Sequence, residues 1–504
     1  MPVYVLTIDV GTTNVKAAVF DEKGRIVKHS RKELTLLTGP GGVVEHDPRE
    51  VLKAVFDTAR QAAKKFDVDA ISLSFYQHGL LLVDREGRPL TNILTHMDTR
   101  SAGLVRVVET SLDPSELYRR TGCPPLFVYS LPKVLWVKRS TPSIAGKARW
   151  FLLGKDYLVL KLLGEPYTDY GNASGSQLFN ITSLRWDDEA LRIADLGEES
   201  LPKPVEGAMV LDRISGERLG LKGRMDLVLG SFDGACQNFG YLSSSSDTAV
   251  VNLGTTAVLR VLTRKPVLDM DGLRTFCYYA AAGLWAAGGS TNNGGSVLRW
   301  LRDVLGELEK VIAQRTGIDP YSLLVKEASK SPPGARGLIF LPFMAGERFP
   351  FRDPHIRGVL LGLGYEHGRP DIIRAFLEGV AFTLRAILDS LVEMGVKPVR
   401  TYGAGGGFQS RLWAEIVASV TGLPVYRVRG TEYASNRGAA VLALLALGYA
   451  KSLEDLGWSV EVRDLVRPLE EQKSVYENIY ASFIDAYRVL SDYFQGHRVN
   501  VKEE

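Results

Sequence analysis

The stretch Asp9-Val10-Gly11-Thr12-Thr13 joins two runs of apolar and β-branched residues. A similar stretch, Asn252-Leu253-Gly254-Thr255-Thr256, joins two such runs in the second half of the chain. Each stretch predicts a strand, a tight turn and a second strand, because glycine can adopt positive φ and the flanking residues favour strands. The repetition predicts that the protein contains two related halves.

The two predicted turns offer the same hydrogen-bond donors. Their backbone N–H groups and threonine hydroxyls can hold phosphate oxygens without a cationic side chain. Two such turns facing each other across a cleft would hold one triphosphate between the halves. The alternative is a pair of ordinary β-hairpins, which a single Gly-Thr-Thr turn would favour. The repetition, and the position of Asp9 just before the first turn, favour phosphate binding.

The composition is that of an ordinary globular protein. Its 504 residues are 45% hydrophobic and 24% charged, which suffices for two or more cores. The 61 basic and 58 acidic residues give a formal charge of +3, so bulk electrostatics indicate neither a nucleic-acid partner nor a membrane surface. The longest uncharged apolar run, 438–450, is shorter than the roughly 20 residues of a membrane-spanning helix.

The three cysteines, Cys123, Cys236 and Cys277, are widely spaced. This spacing indicates neither a disulfide framework nor a zinc site, and free thiols suit a reducing compartment. We therefore expect a cytoplasmic protein. The sequence leaves open whether the chain forms a homodimer.

Hydrophobic periodicity predicts mixed α/β structure in both halves. The first half combines predicted strands at 3–9, 15–20 and 70–75 with a helix at 48–65. The second half alternates predicted helices at 295–307, 370–393, 410–421 and 438–447 with strands at 399–402 and 424–428, and ends in a helix at 470–494. A polar break at 242–247 predicts a domain boundary that divides the chain into 1–247 and 248–504.

Asp233, in the segment Leu229-Gly-Ser-Phe-Asp-Gly-Ala-Cys236, is the candidate catalytic base. It precedes the predicted boundary between the halves and adjoins Gly234, which leaves room for a substrate to approach. The alternative is an ordinary Asp-Gly turn, since this pair is common in turns.

A third glycine-rich segment, Gly403-Ala-Gly-Gly-Gly-Phe408, follows a predicted strand and precedes a predicted helix. Its bare backbone suits a planar base or a sugar. It is not a dinucleotide-binding fingerprint, because Phe408 stands where the last glycine of GxGxxG belongs. The chain also lacks a GxxxxGK[ST] loop, which argues against a P-loop nucleotidase.

Two further polar pairs are candidates for holding a small polar substrate. Gln77 and His78 follow the predicted strand at 70–75, and Asp98 and Arg100 lie close together farther along. The alternative for each pair is a buried hydrogen-bonded group or a surface ion pair. A charged run, Ala345-Gly-Glu-Arg-Phe-Pro350 with Arg352, Asp353 and Arg357, is also compatible with a loop that has no function.

Several segments together resemble the FGGY carbohydrate kinases in both residues and order. They span nearly the whole chain: Ile8-Asp-Val-Gly-Thr-Thr-Asn-Val-Lys16, Lys155-Asp-Tyr157, Thr168-Asp-Tyr-Gly-Asn-Ala-Ser174, Gly230-Ser-Phe-Asp-Gly234, Asn252-Leu-Gly-Thr-Thr256, Ala345-Gly-Glu-Arg-Phe-Pro350, Gly405-Gly-Gly-Phe-Gln-Ser-Arg-Leu-Trp413 and Glu432-Tyr-Ala-Ser-Asn-Arg-Gly-Ala-Ala440. The resemblance implies an α/β fold of two actin-like, ribonuclease-H-like domains around a central nucleotide and sugar cleft.

The resemblance also implies roles for individual residues. Asp233 matches the family's catalytic base, and Asp9 with Asp233 would position Mg²⁺. ATP would be held by residues of all three glycine-rich segments: Thr12, Thr13, Gly254, Thr255, Gly405, Gly406 and Gln409. The sugar-binding candidates are Gln77, His78, Asp98, Arg100, Asp233 and Asn292.

Two groups of segments indicate different sugars. Phe276-Cys-Tyr278, Asn292-Asn-Gly-Gly295, Leu298-Arg-Trp-Leu-Arg-Asp303 and Gly317-Ile-Asp-Pro-Tyr321 resemble gluconokinases more than other members of the family. In contrast, Gln77-His78-Gly79 is similar to the Gln-Met-His-Gly of xylulokinases with one residue missing, and His96 replaces a tryptophan found in many relatives. D-Gluconate is therefore the first expectation, and D-xylulose or another ketose or polyol is the alternative.

The expected reaction is in-line transfer of the γ-phosphate of MgATP to a sugar hydroxyl whose proton Asp233 accepts. Closure of the two halves would exclude water from the transfer. One alternative is a non-catalytic actin-like sensor of nucleotide or sugar, and another is an actin-like ATPase that hydrolyses ATP without a sugar.

Overall fold

The computed structural model describes residues 3–497, which form two compact units. The first unit consists of residues up to 245 together with 262–287 and 432–460. The second unit consists of 246–261, 288–431 and the residues from 461 onward. The division of the chain into 1–247 and 248–504 stays a prediction from the sequence.

The elements up to residue 245 are mostly short strands and helices around one large sheet. The strands are β1 (Tyr4–Val10), β2 (Asn14–Asp21), β3 (Ile26–Glu33), β4 (Leu37–Gly39), β5 (Val43–His46), β6 (Ala70–Phe75), β7 (Leu81–Val83), β8 (Ile93–Leu94), β9 (Trp150–Leu152), β10 (Tyr167–Asp169), β11 (Phe179–Asn180), β12 (Arg185–Trp186), β13 (Lys203–Val205), β14 (Val210–Ser215) and β15 (Arg224–Phe232). The helices are α1 (Pro48–Ala63), α2 (Val105–Ser111), α3 (Pro114–Thr121), α4 (Ser130–Ser140), α5 (Pro142–Ala145), α6 (Gly154–Leu163), α7 (Tyr170–Ser174), α8 (Asp188–Ala194) and α9 (Asp233–Gly240).

The elements from residue 246 onward include the longest helices. The strands are β16 (Thr248–Leu253), β17 (Ala257–Thr263), β18 (Phe276–Ala281), β19 (Leu284–Thr291), β20 (Ile339–Leu341), β21 (Val359–Leu361), β22 (Arg400–Ala404), β23 (Val425–Val428) and β24 (Val462–Val466). The helices are α10 (Gly295–Leu305), α11 (Glu307–Thr316), α12 (Pro320–Ala328), α13 (Arg369–Glu393), α14 (Arg411–Thr421), α15 (Ala434–Ala446) and α16 (Lys473–Gly496).

The main sheet of the first unit has the strand order β14-β15-β6-β1-β2-β3. Strand β1 pairs antiparallel with β2 and parallel with β6, and β6 is parallel to β15. One core contains apolar residues of α1, such as Val51 and Val55, with residues of the sheet. A second core joins Ala440, Ala443 and Leu444 of α15 to strand residues Val3, Val5, Ala18, Phe20 and Val228.

The sheet of the second unit repeats this arrangement. The seven-stranded sheet that contains it follows the order β18-β19-β17-β16-β22-β23-β24. Strand β16 is antiparallel to β17 and parallel to β22, which is parallel to β23. In each sheet a hairpin is therefore followed by two parallel strands, as the repeated sequence predicts. We call β1–β2 with its turn at 11–13 the first hairpin, and β16–β17 with its turn at 254–256 the second hairpin.

The turns of the two hairpins differ from the expectation in one respect. Neither Gly11 nor Gly254 has positive φ, so that part of the prediction is wrong. A Cβ atom at either glycine would come no closer than 3.5 Å to its surroundings. The absence of a side chain therefore leaves the turn backbone uncovered, which is what a ligand approaching its N–H groups requires.

No helix within residues 3–497 is both long and apolar enough to cross a membrane. The three cysteines are free and buried.

Candidate active site

Two carboxylates lie at one edge of the sheet in the first unit. Asp9 is near the end of β1, and Asp233 directly follows β15 as the first residue of α9. Both strands flank β6 and run parallel to it, and Ser74 of β6 pairs in register with Asp9 and with Ser231. Because the carboxyl ends of parallel strands meet at the same edge, Asp9 and Asp233 both lie at this edge of the sheet.

Asp9 is buried and accepts a hydrogen bond of 2.7 Å from the Ser74 hydroxyl. Burial raises the pKa of Asp9 to about 6, because a charged carboxylate loses its hydration there. Lys16 and the Ser74 hydrogen bond lower this pKa, and the negative charge of Asp233 raises it. The two carboxylates are thus close enough to repel each other.

Strand β15, which leads into Asp233, contains a bulge that redirects its end. The register between β15 and β6 shifts after Val228, and Gly230 there has a φ of 63°. The fully buried Lys155 donates hydrogen bonds to the carbonyls of Leu229 (2.9 Å) and Ser231 (3.0 Å). Lys155 also forms an ion pair of 2.6 Å with the buried Asp169. The ammonium therefore fixes the backbone that leads into Asp233.

Gln77 and His78 follow β6 at the same edge, as predicted. Gln77 is buried and donates from Nε2 to the carbonyl of Gly171 at 2.8 Å. His78 has a φ of 68°, and its Nδ1 lies 2.6 Å from the carbonyl of Gly175. Because a carbonyl can only accept, Nδ1 of His78 carries a proton.

An aromatic cluster surrounds His78 and consists of Tyr129, Phe276 and Tyr278. The ring of His78 contacts both tyrosine rings edge-on, and their hydroxyls are 2.9 Å apart. Phe276 stacks on Tyr278 with ring centroids separated by 4.5 Å. The segment that resembles gluconokinases and the segment that resembles xylulokinases therefore lie in one cluster, which sequence separation concealed.

Lys133 of α4 is a buried residue that sequence reasoning missed. Its ammonium donates to the carbonyls of His78 (2.5 Å) and Val128 (2.8 Å). Burial lowers the pKa of Lys133 to about 7, although the charge of Asp98 opposes this effect. Lys133 therefore supports the unusual backbone of His78. Neither the residue type nor the spacing of this single lysine signals the role in the sequence.

Asp98 and Arg100 are paired with each other. Nε of Arg100 lies 3.0 Å from both carboxylate oxygens of the buried Asp98, and Arg100 also forms an ion pair with Glu45. The guanidinium lies over the ring of Trp136 at 4.3 Å. These contacts fit the ion-pair interpretation, and a role in sugar binding stays a prediction.

The first hairpin has a histidine support. His46 is buried; its Nε2 lies 3.0 Å from the carbonyl of Thr12 and its Nδ1 lies 2.9 Å from the hydroxyl of Tyr76. Nε2 must donate, since the carbonyl of Thr12 can only accept. Burial lowers the pKa of His46, so the neutral ring is favoured. The sequence contained no signal for this contact.

The second unit contains a cavity of about 480 Å³ next to the second hairpin. Four predicted ATP-binding residues line it: Gly254, Thr255, Gly406 and Gln409. Apolar and aromatic side chains form much of the remaining wall: Leu253, Leu298, Tyr321, Val325 and Trp413. A concave, mainly apolar cavity with a bare glycine loop at its edge suits a planar base.

Arg299 of α10 also lines this cavity and was not predicted to bind ATP. Its Nη2 lies 3.3 Å from the hydroxyl of Thr255. The guanidinium thus places a positive charge beside the turn of the second hairpin. Gly405 follows β22 and precedes a short 3₁₀ helix, Gly406–Gln409, which the sequence did not predict.

Asn292 lies in the second unit, in the loop between β19 and α10. Its backbone N–H donates to Glu347 at 3.3 Å, and its side-chain amide donates to the carbonyl of Ala345 at 3.3 Å. The other predicted sugar-binding residues lie in the first unit. Contact of Asn292 with a sugar stays a prediction.

The donor set at Asp9 and Asp233 fits Mg²⁺. Mg²⁺ prefers oxygen ligands, keeps several waters and binds through one or two carboxylates together with substrate phosphates. Residues 3–497 contain no cluster of three or more His, Cys, Asp or Glu side chains suited to a metal. Mg²⁺ needs only one or two protein carboxylates. Asp9, whose pKa is raised, and Asp233, whose charge repels that of Asp9, would supply them.

Two family models match the chain in order. Residues 4–240 match the N-terminal domain of the FGGY family of carbohydrate kinases, and residues 249–447 match its C-terminal domain. Together these matches cover most of the sequence.

Individual relatives match over nearly their full length. A gluconokinase of Bacillus subtilis (strain 168) is 34% identical over 501 residues, covering 98% of this chain and 97% of the relative. A xylulose kinase of Staphylococcus epidermidis (strain RP62A) is 28% identical over 492 residues, covering 96% of each.

Among solved structures, a gluconate kinase from Lactobacillus acidophilus superposes with a TM-score of 0.92 at 28% identity, covering 98% of this chain and all of that one. The two-domain, actin-like α/β fold expected from the sequence is confirmed. The chain belongs to the FGGY family of carbohydrate kinases and is an ATP-dependent phosphotransferase with an alcohol acceptor.

Proposed function

We propose that this kinase transfers the γ-phosphate of MgATP to a hydroxyl of D-gluconate. The observation that carries the proposal is the full-length identity of 34% to the Bacillus subtilis gluconokinase. The fold similarity to the gluconate kinase of Lactobacillus acidophilus supports the same substrate. The sequence features at 276–303 indicated gluconate independently.

In the proposed mechanism Asp233 accepts the proton of the attacking sugar hydroxyl. Lys155 holds the bulged strand before Asp233, so the carboxylate is oriented before substrate binds. Asp9 and Asp233 would hold Mg²⁺, which, when bound, neutralises charge on the transferred phosphoryl group.

Each hairpin supplies phosphate donors in this proposal. In the second unit Gly254 and Thr255 would hold phosphates, with Gly405, Gly406 and Gln409 along the adenosine. All of these except Gly405 line the cavity. In the first unit Thr12 and Thr13 would supply the corresponding donors. That both hairpins act on one triphosphate, and that domain closure excludes water, remain predictions from the repeat.

The sugar would lie at the edge of the first sheet that carries Asp233. Gln77 and His78 are the favoured contacts, because both follow β6 at that edge and are fixed by backbone carbonyls. Asp98, Arg100 and Asn292 stay predicted contacts.

A coupled assay of ADP release tests the substrate directly. Purified protein is given MgATP with D-gluconate, D-xylulose, L-ribulose or glycerol, and ³¹P NMR identifies the product. We expect gluconate to give the highest kcat/KM, with formation of a phosphate monoester. ADP release at the same rate with and without every sugar would contradict the proposal.

D-Xylulose is the second candidate substrate. The observation that favours it is the segment Gln77-His78-Gly79, whose histidine contacts the aromatic cluster. A kcat/KM for xylulose that clearly exceeds the value for gluconate would support this candidate.

Whether the chain forms a homodimer stays open, and the cytoplasmic location remains a prediction. Size-exclusion chromatography with light scattering tests the first, and fractionation of the cells that produce the protein tests the second.

A further inference from the structure

The segment Ala345-Gly-Glu-Arg-Phe-Pro350 carries a buried carboxylate, Glu347, to which the mechanism above gives no role. Glu347 is only 2% exposed. Burying a carboxylate is costly unless hydrogen bonds compensate, so its partners indicate what it does.

Most of the donors to Glu347 come from the end of β19 and the loop that joins it to α10. The Thr291 hydroxyl donates at 2.5 Å, the Asn292 backbone N–H at 3.3 Å and the Asn293 side-chain amide at 3.3 Å. The backbone N–H of Arg348 adds a fourth bond of 2.7 Å. The Thr291 hydroxyl accepts from the N–H of Asn293, so its own proton is directed at Glu347.

The end of this loop and the first residues of α10 are hydrogen-bonded to the turn of the second hairpin. The N–H of Gly295 donates to the carbonyl of Gly254 at 2.6 Å. The N–H groups of Gly294 and Ser296 donate to the carbonyl of Thr255 at 3.2 and 3.1 Å. The contact is close, because a Cβ atom at Gly294 would lie 2.4 Å from the carbonyl carbon of Thr256.

These bonds form a continuous connection from Glu347 through residues 291–296 to residues 254–256. We propose that Glu347 is a positioning residue for nucleotide, which holds the Gly254–Thr255 turn in the geometry that binds phosphate. The inference rests on the proposed nucleotide site of the second unit. It gives the Ala345–Pro350 segment a function that the sequence alone left open.

The electrostatics of Glu347 agree with this role. Burial raises the pKa of Glu347 to about 7, and the bonds from Thr291, Arg348 and Asn293 oppose the rise. The hydrogen bonds therefore maintain an acceptor where burial alone would favour the protonated acid.

The test compares nucleotide affinity in three variants by calorimetry with ADP, which needs no sugar. Glu347→Gln keeps the shape but replaces one acceptor by a donor. Thr291→Val removes the shortest bond to Glu347. Glu378→Gln is the matched control, because Glu378 is a buried carboxylate of the same unit, bonded to Arg374 and Tyr476.

We expect Glu347→Gln to raise the Kd for ADP and the KM for ATP about tenfold, while kcat at saturating ATP changes less than about threefold. Thr291→Val should raise both constants about threefold. Glu378→Gln should lower the melting temperature and leave the Kd for ADP within about twofold.

An unchanged Kd for ADP in Glu347→Gln would overturn the inference, whatever happens to the melting temperature. If Glu347→Gln does not fold, Thr291→Val decides by the same measurement, and an unchanged Kd again overturns it. If the wild-type protein binds no ADP, the proposed nucleotide site itself is wrong. These outcomes separate failure of the inference from failure of the proposed function.

Discussion

The two hairpins have the same backbone plan but different chemistry. In the first, Asp9 precedes the Gly-Thr-Thr turn, and in the second Asn252 occupies the matching position. Both strands pair antiparallel with the next strand and parallel with a later one. The comparison teaches that the repeat presents the turn proposed to hold phosphate twice, whereas the carboxylate that suits a cation is present only in the first hairpin.

The supports of the two turns also differ in charge type. His46 bonds to the first turn, and Glu347 acts on the second through the loop at 291–296. A buried histidine is destabilised by acid, whereas a buried carboxylate is destabilised by alkali. Similar backbones are therefore held by groups that respond oppositely to pH.

The largest effect should come from removing Asp233, the proposed catalytic base of the first unit. Asp233→Ala should lower kcat by about 10²- to 10⁴-fold, because the attacking hydroxyl loses its proton acceptor. The Kd for ADP should stay within about twofold, because the cavity lies in the second unit. Asp226→Ala, on the same strand, is the control for steady-state assays. Retention of more than a tenth of wild-type turnover would count against the assignment.

The next prediction makes the first hairpin resemble the second. Asp9→Asn should reduce kcat/KM by about 10²-fold and raise the Mg²⁺ concentration needed for half-maximal rate, since one carboxylate ligand is lost. The measurement is a Mg²⁺ titration of initial rates at fixed ATP. An unchanged Mg²⁺ requirement would show that Asp9 does not hold the cation.

A smaller effect should follow from removing the cation beside the second hairpin. Arg299→Gln should raise the KM for ATP about tenfold, because a hydrogen bond to a charged group contributes about 1.5–3 kcal/mol. The effect should weaken at high ionic strength, since Arg299 is exposed. Arg315→Gln, on α11, is the control. Equal KM values for both variants would exclude a phosphate contact by Arg299.

The smallest effect tests the opposite pH responses of the two supports. The folded-state pKa of Glu347, about 7, exceeds its ordinary value of 4.5. Its stabilisation is therefore complete below pH 4.5 and is lost as pH rises through 7. Relative to Glu347→Gln, the free energy of unfolding of the wild type should fall by about 1 kcal/mol per pH unit between pH 4.5 and 7.

The folded-state pKa of His46 lies below its ordinary value of 6.5, so its sign is reversed. Relative to His46→Gln, the wild type should keep its stability above pH 6.5 and lose it as pH falls below that value. Urea unfolding between pH 5 and 8 measures both differences. If both stability differences changed in the same direction with pH, the role assigned to either His46 or Glu347 would be refuted.

Local pattern was enough to predict much of the fold. The predicted strand at 70–75 is β6, and the predicted helix at 48–65 is α1, because alternation and helical spacing are properties of neighbouring residues. The predicted helix at 295–307 is α10, which begins at the predicted residue and ends two residues earlier, at Leu305. Gly306 ends this helix, whereas the apolar spacing continues past it.

The site was predictable only where its residues belong to local motifs. Asp9 lies near the end of one apolar strand and Asp233 follows another, and strand topology brings them to the same edge of the sheet. Lys133 and His46 act through bonds to backbone carbonyls of distant segments, and such bonds leave no trace in residue type or spacing. The sequence also could not show whether Asp98 and Arg100 form an ion pair or bind a substrate, because the contact between them is visible only in the structure.

Helix α15 has a consequence for biosynthesis. It returns from the far end of the chain to cover strand residues of the first unit, including Val5 and Phe20. A ribosome releases the chain from its N-terminus, so that face of the sheet stays bare until residue 446 has emerged. Nascent or prematurely terminated chains that lack α15 therefore expose an apolar surface, and we expect them to need chaperone protection until this helix has been synthesised.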